Sequence, residues 1–426
     1  MKNCINDLEE MRSYLLLWFT QMISGLGSAM TAYALVIWSY TQEGSALRTA
    51  LLMVCSYAPY VICSIFAGTL SDHWEKKKTM LVCDAVAALS TLVVLGLLKN
   101  GALRIWHLYI VNGVSSLMNT FQQPASEVAT TALLKREYYQ KAGGLRYLSN
   151  SLNSILTPII TTAIMGLWGI GTVIAIDLIS FAVAFVVLLL FIPILKTEPK
   201  DTKESVLQSA AEGVRWLKAN PGIFHLMLFL AGINLVASMF NATLPAMILS
   251  KASETALGTV NSVTGIAMLA GSLLAFFLPA PKSRVKAIWC CLMVSMCTEN
   301  FFLAFGGNVW VWSFGAVLGW IVIPWMNANL EAVNRLNIPL DIQGRVFAAR
   351  NSFQFFTIPV GYFLGGALVD QVFEPVMAMQ TEGLLARLFG TGKGSGAAFL
   401  FAVLWLAGIA VCLIFRADQH IWKLEE

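Results

Sequence analysis

The chain has 426 residues, of which 57% are hydrophobic and only 12% charged, with a formal net charge of +4. Soluble domains carry about a quarter charged residues, so this composition excludes a water-soluble globule and gives no basic surface for nucleic acid. A β-barrel would show ~10-residue alternating segments; here about twelve apolar runs of roughly 20 residues are each long enough to cross the hydrocarbon as a helix.

Residues 1–13 form an N-terminal tail whose Asp7, Glu9 and Glu10 are unlike the start of a signal peptide, so the first apolar run is expected to be retained. The predicted spans of the first half are Tyr14–Thr41, Ala46–Leu70, Thr79–Leu98, Ile105–Leu134, Leu145–Trp168 and Gly171–Leu195. Spans two and three are joined by a tight turn, Gly68-Thr69-Leu70-Ser71-Asp72-His73-Trp74-Glu75-Lys76-Lys77-Lys78. Lysine is costly inside a bilayer and is favoured beside anionic headgroups, so the triplet marks the cytoplasmic side. A charged linker follows, residues 197–222, where Val206, Ala210, Val214 and Leu217 recur opposite Glu204, Glu212 and Lys218. That spacing predicts a short amphipathic helix on the inner membrane surface; the alternative is a solvated tether.

The second half repeats the first with Ile223–Leu249, Ala256–Ala280, Val285–Phe305, Asn308–Leu330, Val346–Val372 and Gly396–Arg416. Residues 417–426 form a C-terminal tail. Among the 28 Lys and Arg, only Arg48, Lys99, Arg104, Lys251, Arg387 and Lys393 fall in outer loops, which places both termini in the cytoplasm. Pro124 and Pro324, Gly144 and Gly344, and Pro158 and Pro359 recur at an offset of about 200 residues, the mark of two parallel repeats. Proline inside a membrane helix frees a carbonyl and bends the axis, so the four prolines are expected hinges at matched bends. The domains expected are therefore bundles over 14–196 and 223–416 around the linker.

Polar residues lie in stripes. On the fourth span, Asn112, Ser116, Asn119, Gln123 and Glu127 recur at steps of three or four. The first offers Gln21, Ser24, Ser28 and Thr31; the seventh offers Asn234, Ser238 and Asn241; the tenth carries Trp312, Trp320 and Trp325. Four carboxylates fall inside spans: Asp84, Glu127, Asp177 and Glu299. Intramembrane acids are functional candidates by default. Glu127 shares a face with the polar stripe and is the first candidate for proton coupling, with Asp84 next, although Asp84 can equally pair with the inner lysines. Asp177 reads as a buttress, and Glu299 is ambiguous. No Ser/His/Asp set, phosphate loop or HExxH helix occurs, the cysteines form no CxxC and the histidines are scattered, so an enzyme, a metal site and a cofactor are not expected.

The Gly68-x-Leu70-x-Asp72 turn with its lysines resembles the loop between helices 2 and 3 of the major facilitator superfamily. Phe19-Thr20-Gln21 with Ser24, Pro124-Ala125, Ala142-Gly143-Gly144-Leu145, Ile176-Asp177-Leu178 and Gly344-Arg345-Val346-Phe347 resemble its macrolide-efflux branch. The resemblance covers nearly the whole chain. It implies an all-α polytopic protein with twelve transmembrane helices in two pseudo-symmetric six-helix bundles. It also implies a conformational latch at Gly68, Asp72, Lys76 and Lys78. The central cavity would be lined by spans 1, 4, 7 and 10, with Gln21, Ser24, Ser28, Asn112, Ser116, Asn119, Gln123, Asn234, Ser238, Asn241 and Trp320 facing it; alternatively these polar groups bond neighbouring helices. Three departures stand out: Glu75 replaces the usual Gly, the fourth span has no Arg or Lys, and the fifth-span antiporter signature is reduced to Thr157-Pro158-Ile159-Ile160-Thr161.

The function expected is secondary active export of amphipathic, macrolide-like molecules in exchange for protons, by alternating access. Its partners would be the substrate, protons and membrane lipid, acting on a monomer in a bacterial-type plasma membrane. The alternatives are a dedicated exporter of a metabolite such as a siderophore, and a lipid-handling protein on the same scaffold.

Overall fold

The computed structural model describes residues 11–134, 139–192, 206–278, 281–339, 353–380 and 382–425, together with 346, 349 and 350. With no water to satisfy backbone groups in hydrocarbon, each apolar run closes its own hydrogen bonds and becomes a helix. The first six are α1 (Arg12–Glu43), α2 (Ala46–His73), α3 (Lys76–Lys99), α4 (Ile105–Leu133), α5 (Tyr139–Trp168) and α6 (Ile170–Phe191). The linker contains α7 (Val206–Ala219), which seats Leu217 in the interior and exposes Glu212 and Lys218. Then come α8 (Pro221–Lys251), α9 (Glu254–Phe277), α10 (Arg284–Phe305), α11 (Val309–Trp320), α12 (Ile323–Asn337) and α13 (Thr357–Leu368). A π-helical turn, Val369–Phe373, leads into α14 (Glu374–Ala378); α15 (Leu384–Phe389), α16 (Ser395–Arg416) and α17 (Gln419–Trp422) complete the chain.

Eleven of the described helical segments are long and apolar enough to cross a membrane. The predicted fourth span, α4, is a continuous 29-residue helix outside that set; its Asn, Ser and Gln face lowers its hydropathy. The prolines act differently in the two repeats. α4 runs unbroken through Pro124 and α5 through Pro158. In the second repeat the helix turns out of register at Ile321–Val322, just before Pro324, and at Phe356, just before Pro359. A proline cannot donate to the carbonyl four residues back and its ring crowds it, so the weak points sit one turn upstream, at Trp320 and Phe355.

Contacts divide the chain into two compact units. The first comprises residues up to Trp38 and Cys55–Lys203; the second comprises Ser39–Val54 and everything from Glu204. The second unit therefore includes the linker helix and the facing ends of α1 and α2, which differs from a simple division at the linker. In the first unit α3 packs along α4 and α6, around a core of Leu17, Met80, Ala125, Ala129, Leu188 and Ile192. Lys77 Nζ donates to the carbonyls of Leu189 (3.0 Å) and Ile192 (2.8 Å), closing the C-terminal end of α6 with a cation.

In the second unit α8 packs along α13, and α10 along α16 and α11. Gly361 and Gly365, four apart on α13, let this helix lie directly on α8. A Cβ on Gly361 would collide with Ser238 Oγ, and one on Gly365 would come within 2.8 Å of the Met239 carbonyl. The expected C-terminal tail is partly ordered: Asp418 Oδ2 pairs with His225 Nδ1 at 2.6 Å, and Leu424 lies against Gly222.

Candidate functional site: a polar cleft with two carboxylates

The first unit contains a cleft of about 460 Å³ lined by α1, α2, α3, α4 and α6, a size suited to a drug-sized ligand. Each helix contributes its polar face. α1 presents Gln21, Ser24, Ser28 and Thr31 along three turns; α4 presents Asn112, Ser115, Ser116, Asn119 and Gln122. Asp84 from α3 and Asp177 from α6 complete the lining, which among the described residues includes no Lys, Arg or His.

Both acids are fixed by neutral donors. Gln122 Nε2 donates to Asp84 Oδ1 at 2.6 Å. Ser28 Oγ donates to Asp177 Oδ1 at 3.0 Å. The second contact depends on Gly27: a Cβ there would stand 2.5 Å from Ser180 Oγ and 3.1 Å from Asp177 Oδ1, so only glycine lets α1 and α6 meet closely enough. Asp177 is buried, whereas Asp84 is half-buried. Where Asp84 could have met the inner lysines, its described partner is Gln122, while Lys78 pairs with Glu75 at 2.8 Å and Lys77 closes α6.

Of the residues expected to face a cavity, Gln21, Ser24, Ser28, Asn112, Ser116 and Asn119 line this cleft. Gln123 is exposed, and Gln122 takes the glutamine position. From Asn119, a step of three and a step of four fall on opposite flanks of the stripe, and a stripe alone does not say which flank meets a neighbour. Asp177, the expected buttress, ties α6 to α1 through Ser28 and also lines the cleft with Asp84. The signal that could have found it is the pair of small residues, Gly27-Ser28, on α1.

The second unit arranges its candidates otherwise. Asn234 Nδ2 donates to the Gln354 carbonyl at 3.1 Å, and Thr357 Oγ1 donates to the same carbonyl at 3.2 Å, serving the break before Pro359. Ser238 and Asn241 bond carbonyls of their own helix. Trp320 Nε1 donates to Glu299 Oε1 at 2.6 Å, and Glu299 is fully interior. Trp312 is buried and donates to the Gly306 carbonyl at 2.9 Å. Gly68 and Asp72 lie within α2 and Glu127 within α4, but their side chains fall outside the described residues. Among those residues no group of His, Cys, Asp and Glu is arranged to hold a metal ion.

The arrangement provides a proton- or cation-accepting pair inside an otherwise neutral, hydrogen-bonding cleft. Comparison with known proteins agrees with a transport role. The profile of the Major Facilitator Superfamily matches residues 17–356. Macrolide efflux protein A of Streptococcus pyogenes is 24% identical over 364 residues, 84% of this chain and 89% of that protein. The enterobactin exporter EntS of Citrobacter koseri is 24% identical over 295 residues, 66% of this chain and 64% of that protein. The solved structure of a bacterial homologue of the iron transporter ferroportin superposes with a TM-score of 0.70 at 14% identity, covering 98% of this chain and 99% of that one; this likeness speaks for the fold.

Proposed function

The chain belongs to the Major Facilitator Superfamily and is a membrane transporter with efflux proteins among its relatives; from that premise we propose that it exports amphipathic, macrolide-like molecules in exchange for protons. The observation that carries the reading is the cleft holding Asp84 and Asp177, with no basic residue among the described residues of its lining. A protonated carboxyl is neutral and tolerates an occluded state; an ionised one is stabilised in the state that admits water or a cation. Proton binding at Asp84 thus biases an alternating-access equilibrium, and a cationic substrate competes for the same charge. Glu127, the first coupling candidate on the sequence, is the alternative to Asp84. The protein would work as a monomer in the plasma membrane of a bacterial cell with both termini in the cytoplasm, the orientation favoured by its Lys and Arg distribution.

The similarity to an enterobactin exporter supports a second reading, export of a siderophore. Two carboxylates, with no cation among the described residues of the lining, disfavour anions, so charge separates the two readings. The test is uptake into everted vesicles under an imposed pH gradient, with macrolide and siderophore substrates. Asp84→Asn should retain downhill exchange and lose gradient-driven accumulation of the macrolide. Unchanged accumulation in Asp84→Asn, with loss in Glu127→Gln, would move the coupling to Glu127. Accumulation of the siderophore alone would replace the macrolide reading.

A further inference from the structure

The residues that follow α16 fold back onto the start of α8. His225 Nδ1 and Asp418 Oδ2 stand 2.6 Å apart, and both side chains are partly buried. The other carboxylate oxygen, Asp418 Oδ1, accepts from the His420 N–H at 2.9 Å and so starts α17. One side chain therefore joins the tail's own helix to α8. The fit around it is close: a Cβ on Gly222 would stand 2.7 Å from Leu424 and 2.8 Å from the His420 carbonyl. The other face of the tail closes α16, where Trp422 Nε1 donates to the Arg416 carbonyl at 2.9 Å. The Arg416 guanidinium lies 4.7 Å from the ring of Trp289 on α10 and 5.0 Å from that of Trp422. Short as it is, the tail ties together the ends of α8, α10 and α16 on one side of the second unit.

The apolar contacts of this joint are indifferent to pH; the pair at its centre is not. A histidine side chain changes charge between about pH 5 and 8. A protonated ring gives Asp418 a charge-assisted bond, roughly twice as strong as a neutral one. The other titratable groups on the elements packed here are mostly cations. The His420 ring stands edge-on to His225 with centroids 4.9 Å apart. Lys423 shares the tail, Arg284 and Lys286 begin α10, and α16 contributes Arg416 with the buried thiol of Cys412. α7, which also meets α8, brings Glu212, Arg215 and Lys218, all exposed. α13 carries no charged residue, and the charged residue of α9, Glu254, stands at its first position. Cationic neighbours oppose a charge on His225, and Asp418 offsets them only while the tail is docked. Protonation and docking are therefore linked, so docking is favoured as the pH falls and lost as it rises.

We propose that His225 and Asp418 form a proton-sensitive clasp: a protonated His225 holds the tail, residues 417–425, against the start of α8, and loss of that proton releases it. α8 begins at Pro221, two residues after the linker helix ends at Ala219, so the clasp sets how firmly the first turn of a membrane-spanning helix is held. The pH that it reads is that of the tail's side of the membrane, the cytoplasm in the orientation proposed above; the clasp itself does not depend on what the protein exports.

The test is amide hydrogen exchange of the full-length protein in phospholipid nanodiscs at about pH 6 and about pH 8, with each rate divided by the intrinsic rate at that pH. In the wild type, amides of residues 224–227 and 420–424 should exchange about tenfold faster at the higher pH, the factor expected when a charged hydrogen bond becomes a neutral one. Amides of residues 399–411, inside α16, should keep their corrected rates and show that each variant remains folded. His225→Gln keeps a neutral donor for Asp418 and should remove the pH response, with the fast rates present at both values. Asp418→Asn keeps an acceptor for the His420 N–H and should do the same. His420→Gln leaves the pair intact and should retain the response. Equal corrected rates at the two pH values in the wild type would overturn the proposal. A response that survives His225→Gln, or one that His420→Gln abolishes, would also overturn it.

Discussion

Glu299 is a carboxyl group in the interior of the second unit, and the indole N–H of Trp320 is its partner at 2.6 Å. Gly319 allows this approach, since a Cβ there would stand 2.9 Å from the Glu299 Cβ. A buried acceptor that loses its donor carries its desolvation penalty alone, so Trp320→Phe should lower stability by about 1–3 kcal/mol while keeping the ring in place. Glu299→Gln keeps an acceptor for the indole and should cost less. Thermal unfolding of detergent-solubilised protein checks both, and a Trp320→Phe protein that melts with wild type would show that the bond contributes little. Trp312 makes a contrast: buried on all sides, its truncation to alanine leaves a cavity, and about 3–5 kcal/mol should be lost. Trp312→Ala should therefore reduce the amount of folded protein, whereas Trp320→Phe should leave a folded but less stable one.

Helix ends carry the next set of consequences. Asp370, in the π-helical turn, accepts from Ser45 Oγ at 2.5 Å, from the Ala46 N–H at 3.0 Å and from the Leu47 N–H at 2.9 Å, so it caps the start of α2. One turn later Glu374 accepts from the N–H groups of Gly394 at 2.9 Å and Ala397 at 3.4 Å, capping α16. An extra residue per turn in a π segment rotates the following side chains, which lets one short stretch serve two helix starts. Losing a cap costs about 0.5–2 kcal/mol, so Asp370→Ala should speed amide exchange over residues 46–49 and Glu374→Ala over 394–398, each leaving the other segment unchanged. Exchange rising in both segments for either variant would show that the two caps form one cooperative unit. The glycine face of α13 gives a sterner expectation. Gly361→Val or Gly365→Val forces α13 away from α8 and should abolish folded protein, read as loss of the monodisperse peak on size exclusion.

At the scale of the whole molecule the two repeats share their proline pattern and differ in what the prolines do. α4 and α5 continue through theirs, while the helices of the second repeat break one turn before Pro324 and Pro359. Backbone groups at a break lack the regular ladder and open more readily. Amides around 320–324 and 355–359 should therefore exchange faster than those around 120–124 and 154–158. Equal rates across the two repeats would argue that the breaks are tightly locked by contacts such as Asn234 to Gln354. The polar cleft, by contrast, is described in the first unit.

The all-helical class, most of the membrane helices and a helix in the linker were legible in the sequence, because hydrocarbon leaves a backbone no alternative to closing its own hydrogen bonds. The polar faces of α1 and α4 were legible too, since side chains three and four apart stack on one side of a helix. Periodicity within one helix says which side is polar, but not which neighbour that side meets. Only the tertiary structure decided that Asp84 and Asp177, on different helices, share one cleft, that Gln122 rather than Gln123 reaches it, and that Asn234 turns to a broken helix. It also decided where the matched prolines break their helices. The proline removes the same hydrogen bond at every position, but whether the helix then opens depends on neighbouring groups such as Asn234, which bonds the Gln354 carbonyl beside the break, and such partners come from packing rather than from the local sequence.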